Sequence, residues 1–480
     1  MSLDVSGFVG VRGGQILLEI KSDHPLLKLS EKLPWEEMLM LALPDLERTE
    51  KKQFWRGRRL QVRVHLGAYI LQQMYDLSDR QTERLISDNG AFQFFCGYGH
   101  VKNWHVPDHT SLESFRSRLL PETHRTLSNL LVVQAVKCRY ANPAELDVDS
   151  TIQGANISPP SSGNLLLKVV KIAKKLSGPL NQLSYVVEGA CGELVERYQV
   201  SLAGVKGILR ECFEAKRLKK LNYVESLKRL WVEVAKQTMP IIQGSYALLP
   251  YVQEPRLWGL RRSLEQLSGR GRRLLENAYA YLFEGKNSEE RIYSLSKDAV
   301  SAFNKNKLNR GVEYGRAYQL GRIGGNFMLV GECETLRMPD AASLPAMVEL
   351  HASLFGEGML DSVSVDKGYY SAKNEGYLQE KGVKDVHLPR PNRVLTAAAP
   401  TQDKETKRRL HNRRAGIEPL IGHIKQGGQM RRSRMKSDVT TLSSGYAAVF
   451  GFNLRQLLRH ATGQIRPVSR QSDELALKRG

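Results

Sequence analysis

The chain has 480 residues, of which 71 are Lys or Arg and 50 are Asp or Glu, giving a formal net charge of +21. Apolar residues make up 41% and charged residues 25%, which is enough apolar material for a packed core and too much for a disordered polyampholyte. No apolar run approaches the ~18 residues of a membrane span, and the start MSLDVSGFVGVRGG lacks the basic-then-apolar order of a signal peptide. The five Cys are scattered and contain no CxxC pair, so a reducing, cytoplasmic compartment is expected, with the thiols as core fillers. The excess of cations predicts a polyanionic partner, nucleic acid before a membrane surface.

At roughly 150 residues per domain the chain holds two to four domains. Residues 1–23 read as a weakly ordered leader. Residues 24–140 form a helical N-terminal domain: HPLLKLSEKLPW and WEEMLMLAL carry apolar residues at three- and four-residue intervals, DLSDRQTERLI opens with a capping pattern, and Pro107 and Asp108 mark another helix start. Arg56, Arg58, Arg59 and Arg63 lead into an apolar helix. Over 141–163 the period changes to two, and ELDVDSTI puts Leu146 and Val148 on one face of a strand with Asp147 and Asp149 on the other. Residues 164–300 return to amphipathic, basic helix. Over 301–462 strands reappear in VEYGRAYQLGR and NFMLVGECE, joined by a hairpin turn at Gly324–Gly325. Helix ASLPAMVELHASLFG, strand SVSVD, helix SAKNEGYLQEKG, strand KDVHLP and a basic helical segment follow. Residues 463–480 read as a disordered tail. The fold class is therefore a mixed α/β layer interrupted by a helical insertion, preceded by an all-α domain.

Three carboxylates are the leading candidates for chemistry. Asp149 and Asp366 each end a strand, where a sheet hands its chain to a loop. Glu418 lies in RRAGIEPLIGHIK. If the three converge, they can hold two hard divalent cations through oxygen ligands. Such a pair of ions stabilises the attacking and leaving oxygens of a phosphoryl displacement. On a straight helix Arg414, Glu418 and Lys425 would fall within about 60° of arc, presenting cation, carboxylate and cation together. Pro419 predicts that the helix starts or kinks near Glu418. Residues 404–436 hold eleven Lys and Arg, Arg431 and Arg432 among them, against Glu405 and Glu418, a surface suited to tracking phosphates.

These segments resemble bacterial insertion-sequence transposases of the DDE class, the families numbered four and five. DSTIQGANISPPSS at 149 is similar to the segment around the first Asp of those families, and VDKGYYSAKNEGYL at 365 to that around the second. RRAGIEPLIGHIKQGGQMRRSRMK at 413 is similar to that around the Glu. The R-x3-E-x6-K order fits a signature of the group, although the signature's Tyr is His411 here. HPLLKLSEKLPW, LSDRQTERLISDNGAFQFFCGY and PDHTSLESFR resemble the N-terminal domain. The resemblance covers about 24–160 and 300–460 and leaves the insertion unassigned. It implies a ribonuclease-H-like sheet, with Asp149, Asp366 and Glu418 as ligands of two Mg²⁺ or Mn²⁺ ions and Arg414 and Lys425 on DNA phosphates. It also implies DNA nicking at transposon ends followed by strand transfer into target DNA. Expected partners are terminal inverted repeats and target DNA, bound by a homodimer near the bacterial nucleoid, with Arg56, Arg58 and Arg59 on the repeats. Asp147 is a rival to Asp149, because both lie on one strand face.

Two other functional classes remain in play. His411, Arg414 and Tyr446 imitate a tyrosine recombinase, in which Tyr attacks the phosphate without metal. The basic helices alone would support a transposase-derived DNA-binding protein without catalysis. Cys96, His100, His105 and His109 form a loose zinc-like spacing interrupted by Pro107.

Overall fold

A computed structural model describes residues 20–50, 61–157, 160–188, 200–217, 223–253, 257–288, 291–297, 300–303, 311–333, 339–390, 404–435 and 437–465. Most of the expected leader and tail lie outside the described residues, as do Arg56, Arg58 and Arg59. The chain divides into two compact units, one of residues 1–153, 317–334 and 338–480, the other of residues 154–316 and 335–337.

The first unit opens with seven helices: α1 (Pro25–Lys32), α2 (Trp35–Glu50), α3 (Val62–Met74), α4 (Asp79–Asp88), α5 (Gly90–Phe95), α6 (His109–Arg118) and α7 (Pro121–Lys137). Their starts follow the local chemistry. Pro25 and Pro121 sit in first turns, where a missing N–H breaks no helical bond. Ser78 and Gln81 form the capping box of α4, the Ser78 N–H donating to Gln81 Oε1 at 2.9 Å. Asp108 caps α6 by accepting from the Thr110 and Ser111 N–H groups at 2.9 Å. Leu29, Met38, Leu66, Ile70, Phe95, Phe115 and Leu131 from these helices share one buried core with Leu146, Val148, Val363 and Val365 of the sheet.

That sheet begins with β1 (Asn142–Gly154). Five helices follow in the second unit: α8 (Ser162–Glu188), α9 (Leu202–Arg217), α10 (Tyr223–Leu248), α11 (Trp258–Glu265) and α12 (Arg272–Phe283). A wide turn over Gln266–Gly271 joins the last two. They enclose their own core, which includes Val169, Leu230, Val234, Leu264 and Leu267. The chain returns through β2 (Ser301–Phe303), β3 (Glu313–Gly324) and β4 (Phe327–Val330), which pair antiparallel. The tight turn lies at Gly325 and Asn326, with φ of 89° and 63°, one residue later than the sequence pattern suggested. Both positions need the left-handed region, as a two-residue hairpin turn requires. Next come α13 (Asp340–Phe355), β5 (Ser362–Val365), α14 (Ala372–Glu380) and β6 (Asp385–His387). β1, β5 and β6 run parallel. The result is one mixed sheet of six strands in the order β2-β3-β1-β5-β6, with β4 also on β3. Helices α15 (Lys404–Ala415), α16 (Ile417–Gln426) and α17 (Asp438–Ala461) complete the first unit.

The side of β4 away from β3 is closed by two side-chain amides. Asn453 on α17 accepts from Met328 N–H at 2.9 Å and donates to Met328 C=O at 2.8 Å. Asn129 on α7 does the same for Val330, at 2.9 and 3.0 Å. Each amide takes the place of a strand neighbour, so these buried backbone groups are satisfied.

Candidate active site

Parallel pairing of β1 with β5 aligns Leu146 with Val363, Asp147 with Ser364 and Val148 with Val365. One step further, the same register sets Asp149 beside Asp366, at the ~5 Å spacing of neighbouring strands. Contrary to the sequence reading, Asp149 does not end its strand, because β1 continues to Gly154, whereas Asp366 directly follows β5. Strand alternation places Leu146, Val148, Val363 and Val365 in the apolar core. Asp147, Asp149, Ser362, Ser364 and Asp366 belong to the opposite face.

Helix α15 covers that polar face. Ser364 Oγ donates to the Leu410 carbonyl at 3.0 Å. Arg413 donates from Nη1 to Ser362 Oγ at 2.7 Å and from Nε to Asp147 Oδ1 at 2.6 Å. The other oxygen of Asp147 pairs with Arg322 Nη2 at 2.7 Å. Burial pushes the Asp147 carboxyl up from its ordinary range, and the two guanidiniums oppose that rise. Asp147 is 1% exposed and is engaged by both arginines.

The basic helix breaks at Gly416. A Cβ there would stand 2.8 Å from Arg322 Nη1 and 3.2 Å from the Arg413 carbonyl, so a larger residue would have to displace the Arg322 guanidinium. α16 then restarts, with Ile417, Ile421 and Ile424 at helical spacing against Tyr318, Leu320, Met328, Val330 and Val449. Burial of these residues turns Glu418 outward in the first turn, where the helix dipole favours a carboxylate. Pro419 follows in the same turn. The single straight face holding Arg414, Glu418 and Lys425 therefore does not form. Arg414 nevertheless reaches Glu418, Nη1 to Oε1 at 3.2 Å, and its Nη2 lies 3.1 Å from Asp366 Oδ2. Lys425 is half-buried at the far end of α16, and Arg431 and Arg432 are exposed in the segment beyond it.

Asp149 lies in the field of the same groups. Its carboxyl is raised to about 6, first by burial and, to a lesser extent, by Asp366 and Glu418. The Ser150 N–H, donating at 2.8 Å, and the Arg414 guanidinium pull it down. Asp366 Oδ1 accepts from the Lys367 N–H at 2.7 Å. Tyr369, fully buried, donates to Gln319 Oε1 at 2.8 Å. Its phenol is raised first by burial and then by Asp340, Asp149 and Asp366. Tyr369 was not singled out in the sequence, where VDKGYY offered it only as a residue near Asp366.

Three carboxylates near one cation are suited by chemistry to a hard divalent ion. Among the described residues no three His, Cys, Asp or Glu side chains stand near enough to grip a metal together. The Arg414 guanidinium bridges Asp366 and Glu418 instead.

The rival candidates have other surroundings. Tyr446 is 2% exposed and its hydroxyl accepts from the Cys333 N–H at 2.8 Å. The His411 ring meets His387 edge-on. Cys96 is buried in the core, and His109 Nδ1 lies 2.8 Å from Glu83 Oε2. No described helix is long and apolar enough to cross a membrane.

Comparison with known proteins finds similarity in the first part of the chain. Residues 16–118 match the family model described as "Transposase domain (DUF772)". The chain is also 30% identical over 127 residues to "Uncharacterized protein ORF8 in nfe locus" of Rhizobium meliloti, a match covering 25% of this chain and 61% of that protein. The chain thus spans about three-fifths of the length of that curated relative. No solved structure matches. Residues 16–118 are thus similar to a transposase domain, and Asp149 and Asp366 lie outside that range.

Proposed function

We propose that this protein is a DNA transposase with a ribonuclease-H-like core, in which Asp149, Asp366 and Glu418 hold two Mg²⁺ or Mn²⁺ ions. The observation that carries the reading is the parallel register of β1 and β5, which brings two carboxylates distant in sequence side by side, Asp149 within β1 and Asp366 just past the end of β5. The transposase-type match over residues 16–118 supports the same class independently. When bound, such ions polarise the scissile phosphate and lower the pKa of attacking water.

The chain's own residues perform the remaining tasks. The pairing of Arg413 with Asp147 fixes α15 on the sheet and so orients Arg414. The cations at Arg414, Lys425, Arg431 and Arg432 neutralise the DNA backbone. Hydrolysis at an element end breaks a P–O3′ bond and leaves a 3′-OH. That hydroxyl then attacks a target phosphodiester, its proton passing to solvent as the target's own 3′ oxygen leaves. A homodimer holding both inverted repeats would bring two such ends together, with Arg56, Arg58 and Arg59 on the repeats. The burial of Tyr446 favours this reading over a tyrosine nucleophile.

The test is cleavage and strand transfer by the purified chain on DNA carrying the element's inverted repeats, with Mg²⁺ or with EDTA. Metal-dependent nicking that Asp149→Asn abolishes is expected. Binding without any cleavage would identify a DNA-binding protein. Cleavage that persists in EDTA and is lost in Tyr446→Phe would identify a tyrosine recombinase.

A further inference from the structure

We propose that Arg414 is the resident counter-cation of the carboxylate site, and that it leaves this site for a DNA phosphate when a divalent ion enters, so that metal and DNA bind cooperatively. The inference rests on the metal-dependent reading above and adds the residue that couples the two ligands.

Two adjacent arginines differ in how they are held. Arg413 is 8% exposed and locked to Asp147, itself 1% exposed. Arg414 is 22% exposed, and its partners Asp366 and Glu418 are 47% and 62% exposed. The first pair is part of the interior. The second can open into solvent without disturbing the core, because water replaces each bond that is broken.

The guanidinium holds Asp366 Oδ2 at 3.1 Å and Glu418 Oε1 at 3.2 Å. A divalent ion needs the same lone pairs. Arginine does not deprotonate within a protein, so the ion and the guanidinium compete as two cations for one pair of carboxylates. A displaced Arg414 carries a full charge at the mouth of the site. A phosphate offers it two oxygens in the geometry a guanidinium prefers. DNA therefore draws Arg414 off the carboxylates and favours the ion, and the ion releases Arg414 and favours DNA. Coupling of this kind is reciprocal.

The experiment measures Mn²⁺ affinity by the loss of the free-ion EPR signal, using the full chain with and without a short duplex and subtracting Mn²⁺ bound by the duplex alone. In the wild type, DNA should tighten Mn²⁺ binding on the order of tenfold. Arg414→Gln without DNA should bind Mn²⁺ tighter than the wild type by a similar factor, with the DNA effect lost. Arg414→Lys, a point charge that cannot bridge both carboxylates, should fall between them, and circular dichroism melts verify that the variants fold. Mn²⁺ affinity unaffected by DNA in the wild type, or unchanged or weakened in Arg414→Gln, would overturn the coupling while leaving the metal site standing. Absence of Mn²⁺ binding in every form, with or without DNA, would overturn the metal-dependent function itself.

Discussion

Arg413 Nε lies 2.6 Å from Asp147 Oδ1, and the next residue along the helix carries its guanidinium to Asp366 and Glu418. The buried pair thus sets where the exposed one can reach. Asp147 and Asp149, two positions apart on one strand face, divide accordingly into an anchor and a candidate ligand. Asp147→Asn should cost about 3–5 kcal/mol, because it removes the buried carboxylate that pairs with Arg322 and Arg413 and leaves Arg413 with Glu145 at 3.4 Å. Asp149→Asn removes a carboxyl held above its usual range by burial and should leave stability at neutral pH unchanged or raised, by at most about 3 kcal/mol, while abolishing cleavage. Urea denaturation of both variants beside a nicking assay separates the two roles.

Asp366→Asn and Glu418→Gln should each lower cleavage at least about a hundredfold without weakening metal-free DNA binding, since each removes a candidate metal ligand and no cation, and frees Arg414 of one carboxylate partner. The opposite pattern is expected of Arg431→Ala with Arg432→Ala. Both side chains are exposed, and losing two phosphate contacts should reduce the slope of log affinity against log salt by ~2. Binding isotherms at several salt concentrations give that slope. An unchanged slope would remove these two residues from the DNA surface.

Asn129 and Asn453 each satisfy both backbone groups of one residue on β4. Truncation to Ala leaves a buried N–H and C=O without partners. Each unsatisfied group costs about 1–3 kcal/mol. A loss of about 2–5 kcal/mol per variant should appear as a lower denaturant midpoint with an unchanged slope.

His124 is 1% exposed, and its Nδ1 accepts from the Tyr69 hydroxyl at 2.7 Å. Burial lowers its pKa from 6.5 to about 4. The unfolded chain therefore takes up a proton near pH 6.5 that the folded chain refuses. Stability present above pH 6.5 should fall by about 3 kcal/mol as pH drops from 6.5 towards 4. His124→Gln should flatten this part of the stability profile, measured as denaturation midpoints between pH 4 and 8.

Much of this architecture is legible in the residues. Alternation in ELDVD and SVSVD announces β1 and β5 and which side chains share a face, because a period of two fixes it, but β1 runs past Asp149 to Gly154, so the expected strand end falls only at Asp366. The capping residues Ser78 and Asp108 announce helix starts because their partners are three or fewer positions away. The pairing partners of Asp147 were not legible. Arg322 and Arg413 are distant in sequence and become neighbours only through the fold. Asn129 and Asn453 carry no local signal, because their role exists only where α7, α17 and β4 meet. Pro419 predicts a helix start near Glu418, and α16 starts at Ile417 after the junction at Gly416, where a Cβ would press on the end of the Arg322 side chain.

The rung-by-rung match of Leu146, Asp147 and Val148 to Val363, Ser364 and Val365 also limits how the sheet that carries the candidate site can change length. Inserting one residue before Asp149 would rotate its carboxylate into the hydrocarbon layer and turn Val148 towards α15. Inserting two would restore the parity but displace the acid by ~6.6 Å along the strand, out of step with Asp366. Length variation can therefore accumulate in the loops and in the helices between β1 and β2, whereas β1 and β5 must keep a common count up to their acids.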